Sequence, residues 1–194
     1  MSSTRPLVVR LMFVFCVIVV GFADQSDIGA EVPAESSTSE LNHAVNEMIS
    51  RDYPSAKVVE IADVDVKSCG VPPNHPGWVK ADFNGDGQLD HAVLLMVGEP
   101  EKGPQRVAVH FVIFVREKDG SYKRIAIRSF EGRLPVGKLI QEQPPRKVQE
   151  SAVLGKRVIT LRNSGIALVS CEQYAQVYYW NTLTNQIDLI GTAD

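Results

Sequence analysis

A chain of 194 residues with 44 % hydrophobic and 22 % charged residues has the length and apolar content for a folded domain with a real core. Its formal net charge of −3 excludes the strongly basic balance that binding to nucleic acid calls for.

The first 23 residues read as a targeting segment. Arg5 and Arg10 supply a positive start, Leu11–Val20 is an unbroken apolar run, and Gly21-Phe22-Ala23 places small residues at −3 and −1 of a cleavage site. This is the pattern of a signal peptide cleaved before Asp24. The uncharged run from Leu11 to Ala23 falls short of the ~20 residues that cross a bilayer. Cys16 follows Phe15, where a lipid-acylation site would need a small residue. The expected product, residues 24–194, is therefore soluble, without a membrane span, and secreted or periplasmic. The alternative is an uncleaved anchor. Loss of Arg5 and Arg10 lowers the 20 basic residues by two against 23 acidic ones, giving a net charge of about −5. The chain carries no N-x-S/T site, so glycosylation does not separate a bacterial from a eukaryotic export route. The short motif-bearing chain leans towards the bacterial one.

Residues 24–36 are rich in Ala, Ser, Glu and Gly and read as a flexible linker, leaving 37–194 as one domain. Ser37-Thr38-Ser39-Glu40 has the spacing of a capping box. Leu41, Ala44, Val45, Met48 and Ile49 then repeat as one helical stripe. That helix ends near Arg51 or Asp52, because Tyr53 precedes Pro54. Its polar face carries His43, read as a solvated histidine.

Lys57–Val66 alternates loosely as a strand, and Lys67–Gly77 is a Pro-rich loop holding Cys69. After cleavage Cys69 and Cys171 are the two remaining cysteines. In an oxidising compartment a lone pair is most simply a disulfide, the alternative being two buried free thiols.

Next comes Asp82-Phe83-Asn84-Gly85-Asp86-Gly87-Gln88-Leu89-Asp90, between Trp78–Phe83 and His91–Val97. Oxygen-bearing side chains stand at loop positions 1, 3, 5 and 9, with Gly at position 6. A tightly curled loop turns alternate side chains inward, so Asp82, Asn84, Asp86 and Asp90 can surround one calcium ion, with Gln88 adding its main-chain carbonyl. Position 12, which holds a bidentate Glu in an EF-hand, is Val93, inside the apolar run Ala92–Val97. The unit is therefore strand–loop–strand. The alternative is an Asp/Asn/Gly-rich hairpin turn without metal.

The pattern D-x-N-x-D-G-x-x-D between two strands resembles the calcium loops of the FG-GAP and VCBS families, as in integrin-alpha-type propellers. The match covers these nine residues and the flanking strands. A propeller needs several four-stranded blades, and this motif occurs once, so the resemblance implies the loop and its hairpin and not the whole propeller.

Arg106–Arg116 is a long strand apolar on both faces, Glu117-Lys118-Asp119-Gly120 is a hairpin turn, and Tyr122–Phe130 returns antiparallel. Gly132–Glu150 reads as an excursion with at most a short strand. Four further strands are expected at Arg157–Leu161, Ile166–Cys171, Ala175–Trp180 and Gln186–Ile190. The resulting expectation is an α+β domain, with an N-terminal helix packed on one mainly antiparallel sheet of about eight strands that includes the calcium-loop hairpin.

No nucleophile–base motif supports catalysis. His43, His75, His91 and His110 lack ligand spacing such as H-E-x-x-H, there is no G-x-S-x-G, and Asp82, Asp86 and Asp90 are absorbed by the metal. His91 and His110 read as strand residues. Tyr174, Tyr178, Tyr179 and Trp180 form the densest aromatic cluster, with Tyr178 and Trp180 on one strand face and Tyr179 on the other. They read either as core packing or as a recognition surface for a protein or a glycan. The function expected is an exported calcium-binding module with a binding or structural role. The alternatives are a secreted or periplasmic hydrolase without a recognisable motif, or an enzyme inhibitor.

Overall fold

Two strands with apolar residues on both faces hold the described residues together. The structure is a computed structural model, describing residues 41–70, 72–171 and 174–192. Strand β3 (Asp90–Gly98) and strand β4 (Arg106–Arg116) pair antiparallel, with Leu94 opposite Phe111 and Leu95 opposite His110. Such two-faced strands need cover on both sides, and the chain supplies a different cover for each.

Towards one side, Leu95, Val93, Val112 and Phe114 pack against Val45 and Ile49 of helix α1 (His43–Asp52) and Leu41 just before it. The helix starts where the side chain of Asn42 accepts from the N–H of Ala44 at 2.9 Å, and it stops before Tyr53-Pro54, as its sequence predicts. Asp52, at its end, bonds to Arg124 at 2.8 Å. His43 is exposed beside Glu47. The expected capping box at 37–40 lies outside the described residues, as do the signal peptide and the linker.

Towards the other side, Leu94, Phe111 and Ile113 meet Leu139, Ile140, Ile166, Leu168 and Tyr178 in the largest apolar cluster. These come from a second sheet, built of β6 (Lys138–Gln143), β9 (Gly165–Ser170), β10 (Tyr174–Asn181) and β11 (Gln186–Thr192) in the order β11-β10-β9-β6. The first sheet has five strands: β1 (Lys57–Val58) and β2 (Trp78–Ala81) pair with opposite ends of β3, followed by β4 and β5 (Tyr122–Arg133). A third, two-stranded sheet of β7 (Lys147–Gln149) and β8 (Val158–Thr160) lies by the far face of the second. There Val148 and Leu161 pack with Ala167, Val177 and Ile190.

The expected fold class needs correction. The described residues are mostly β, 49 % strand and 13 % helical, and among them are three antiparallel sheets and one helix of seven or more residues. The fold is not an N-terminal helix on a single eight-stranded sheet. The reason is that the segment read as an excursion, Gly132–Glu150, holds β6 and β7. Strand β6 takes in the next strands as a separate sheet, burying the inner faces of both. A second correction concerns Lys57–Val66, where only β1 forms a strand. Ile61–Asp63 forms a 3₁₀ turn, and Val64 makes one parallel bridge to Val136.

Cys69 and Cys171 form a disulfide, with Cα atoms 4.7 Å apart across a separation of 102 residues. It ties the end of the short helix α2 (Val66–Cys69) to the exit of β9, joining the segment between β1 and β2 of the first sheet to the second sheet. Among the described residues no helix is long and apolar enough to cross a membrane.

Candidate metal centre

The loop Asp82–Asp90 links β2 to β3, and its first residue organises the turn. Asp82 Oδ1 accepts from the N–H of Gly85 at 2.6 Å and of Asp86 at 3.2 Å, and Oδ2 accepts from Gly87 at 2.8 Å. Two smaller turns continue the curl: Asn84 Oδ1 accepts from Asp86 N–H at 2.9 Å, and Asp86 Oδ1 from Gln88 N–H at 2.8 Å. Gly85 and Gly87 make this possible, with φ of 80° and 84°. Gly85 has a second reason to lack a side chain, since a Cβ there would lie 2.5 Å from the side-chain nitrogen of Asn163. Phe83, between Asp82 and Asn84, is fully buried and anchors the loop in the main core.

Asp90 closes the loop differently. It is fully buried, and each carboxylate oxygen accepts one backbone N–H: Oδ2 from Phe83 at 2.9 Å, and Oδ1 from Arg116, at the end of β4, at 2.8 Å. Burial pushes its pKa up to about 6, the two N–H bonds work against that rise, and the nearby carboxylates of Asp86 and Asp82 add to it. A carboxylate crowded by two others and withdrawn from water is a place where a cation lowers the energy.

Tested against calcium, the donor set fits in kind. It consists of three carboxylates, one amide oxygen and one main-chain carbonyl, all hard oxygens on one nine-residue curl. A carboxylate oxygen has about two lone pairs, so accepting one N–H leaves capacity for a metal. The side chains are not drawn together: among the described residues no three of the Asp, Glu, His and Cys side chains converge on one point. Asn84 Nδ2 instead donates to Asp86 Oδ2 at 3.1 Å, so a bound ion would have to turn that pair.

His91, the next residue, is fully buried, and neither ring nitrogen has a hydrogen-bond partner among the described residues. Burial pushes its pKa down to about 4, helped by the charges of Lys80 and Arg116. It is a neutral core histidine, set edge-on to Tyr122 at 5.4 Å. His110 is half-buried and shares its Nδ1 with Ser129 Oγ at 2.9 Å.

The aromatic cluster divides between two environments. Tyr178 is 3 % exposed and packs against Phe111 at 4.8 Å, whereas Tyr179 belongs to the cluster on the opposite sheet face. Tyr174 is exposed. Trp180 is half-buried and lines a groove of about 1160 Å³ whose rim includes Asn84 and Asp86 of the loop. The remaining walls come from the β4–β5 hairpin and from the start of β11, residues that local sequence patterns do not connect. The only signal was the charged turn Glu117–Gly120, which reads simply as a solvated hairpin.

A smaller pocket of about 210 Å³ lies beside the disulfide. In it Lys138 Nζ donates to Ser170 Oγ at 2.9 Å and sits 4.6 Å from the centre of the Phe130 ring. Burial pulls the lysine pKa down, while the ring face favours the charged form.

No family model, no curated protein and no solved structure matches the chain. The resemblance to FG-GAP and VCBS loops therefore stands on the nine loop residues and their hairpin alone.

Proposed function

We propose that this chain is an exported calcium-binding module, with a binding or structural role and a protein or glycan as partner. The observation that carries the reading is the curl at Asp82, where one carboxylate gathers three backbone N–H groups and sets oxygen donors at every second position. Asp82, Asn84, Asp86 and Asp90 would hold the ion through side chains and Gln88 through its carbonyl. The ion would supply charge neutralisation and cross-linking of the loop. The disulfide is compatible with an oxidising, extracytoplasmic location.

Calorimetry with calcium and with magnesium tests this directly. Calcium should bind with a Kd on the order of 10⁻⁴–10⁻³ M, and magnesium should substitute poorly because it demands a smaller octahedral shell. Absence of calcium uptake by the folded protein would reduce the loop to a turn. A hydrolase reading would have to rest on Lys138 and Ser170, and labelling of Ser170 by an alkyl fluorophosphonate would favour it.

A further inference from the structure

The pocket of about 210 Å³ beside the disulfide opens between the two large sheets, at the end away from the Asp82–Asp90 loop. Gly132 on its wall pairs with Val107 near the start of β4, whereas the loop meets the last residue of β4, Arg116, through Asp90. Strand pairing settles which side chains face the pocket. Lys138 and Ser170 stand opposite each other on β6 and β9, on the same face as the core residues Ile140 and Leu168. Val109 lines it from the core face of the first sheet. Glu131 is the other charged residue on the wall. It pairs with Ala108, between the core residues Val107 and Val109, so its side chain turns to the opposite face, 3.8 Å from Lys102.

Side-chain donors in this pocket outnumber side-chain acceptors. An ammonium carries three N–H donors, and Lys138 Nζ spends one on Ser170 Oγ at 2.9 Å, leaving two. Ser170 is 6 % exposed and accepts that bond, so its own O–H is left to donate, without an acceptor among the described residues. The hydroxyl of Ser68, also on the wall, is already given to Asp65 at 2.9 Å. Lys138 has no ion pair among the described residues, and burial pulls its pKa down with no carboxylate among them to offset the pull. The Phe130 ring, 4.6 Å from Nζ, favours the charged form.

We infer that this pocket binds a compact oxyanion, held by the ammonium of Lys138 and the hydroxyl of Ser170. Three free donors on two adjacent side chains suit the several oxygens of a phosphate, sulfate or carboxylate group. The volume lies below the ~300–1,000 Å³ of a site for drug-sized molecules, which limits the ligand to a few non-hydrogen atoms. A neutral polyol would use the hydroxyl and leave the half-buried charge unanswered. The same charge separates this site from a hydrolase, because an ammonium cannot take the proton of the serine.

The test is an NMR titration of the folded, disulfide-bonded protein in calcium-free chloride buffer, following the amide signals of Gly132, Gly137 and Cys171. Phosphate, sulfate and acetate are added separately, against sodium chloride at matched ionic strength. At least one oxyanion should shift these signals to saturation, and chloride should not. A tighter response to acetate assigns the site to a carboxylate, and a tighter response to phosphate or sulfate assigns it to a tetrahedral anion. Lys138→Met keeps the apolar stem and should abolish saturation. Ser170→Ala, the smaller change, should weaken binding roughly tenfold, the loss of one hydrogen bond to a charged group. Shifts that never saturate, that chloride reproduces, or that Lys138→Met and Ser170→Ala leave unchanged overturn the inference. None of these results bears on the calcium reading, which calorimetry at the loop decides separately.

Discussion

The carboxylate of Asp90 accepts the backbone N–H of Arg116 at 2.8 Å, tying the first residue of β3 to the last of β4, two residues 26 apart in the chain on strands that are neighbours in the sheet. Its other oxygen holds Phe83, so one buried side chain joins loop, core anchor and sheet. Asp90 is thus a structural residue whether or not a metal is bound.

Replacing Asp90 should therefore cost stability even in chelator. Asp90→Ala leaves the N–H groups of Phe83 and Arg116 without their acceptor, and the loss should be about 2 kcal/mol or more. Asp90→Asn keeps one acceptor oxygen and should fall between the alanine variant and the wild type. Urea melts in chelator provide the measurement.

Asp86→Ala should behave in the opposite way. Asp86 is exposed and bonds within the loop to Gln88 and Asn84, so the apo protein should lose little. At a free calcium of ~100 times Kd, the wild type should gain about 2.7 kcal/mol, and the variant should not. Melting curves of both proteins in calcium and in chelator make the comparison. Coincident wild-type curves would contradict it.

Gly85 and Gly87 share a left-handed backbone but differ in surroundings. Gly87→Ala meets nothing within 4 Å, so only the φ of 84° opposes it, at about 1 kcal/mol. Gly85→Ala adds a contact with the Asn163 amide and should cost roughly twice as much. The double change Gly85→Ala with Asn163→Gly should recover part of the difference, as read from denaturant midpoints.

Opening the Cys69–Cys171 disulfide removes a cross-link that closes about 100 residues, and the paired change to Ser should cost about 2–4 kcal/mol. Thiol titration of the unfolded, unreduced protein should find neither cysteine free. A variant as stable as the wild type would show that packing of the two sheets already constrains the ends.

Local pattern was enough for the features that local chemistry controls. Helix α1 follows from one apolar stripe and a stop before Tyr53-Pro54, and the Glu117–Gly120 hairpin follows from its turn residues. The alternation of oxygen-bearing Asp82, Asn84, Asp86 and Asp90 along the loop is a matter of spacing, and the pairing of Cys69 with Cys171 follows from the count of cysteines. Tertiary structure decided the rest. The apolar runs of β3 and β4 say that both faces are covered but not by what, and β6, hidden in a Pro- and charge-rich segment, decides that a second sheet covers one of them. Burial distinguishes Tyr178, sealed in the core, from Trp180, which packs against the same core but keeps part of its surface in the groove, although the two alternate on one strand and share a face. The groove itself joins residues 84, 116, 123, 180 and 186, brought together only when the two sheets pack, a relationship that no periodicity along the chain encodes.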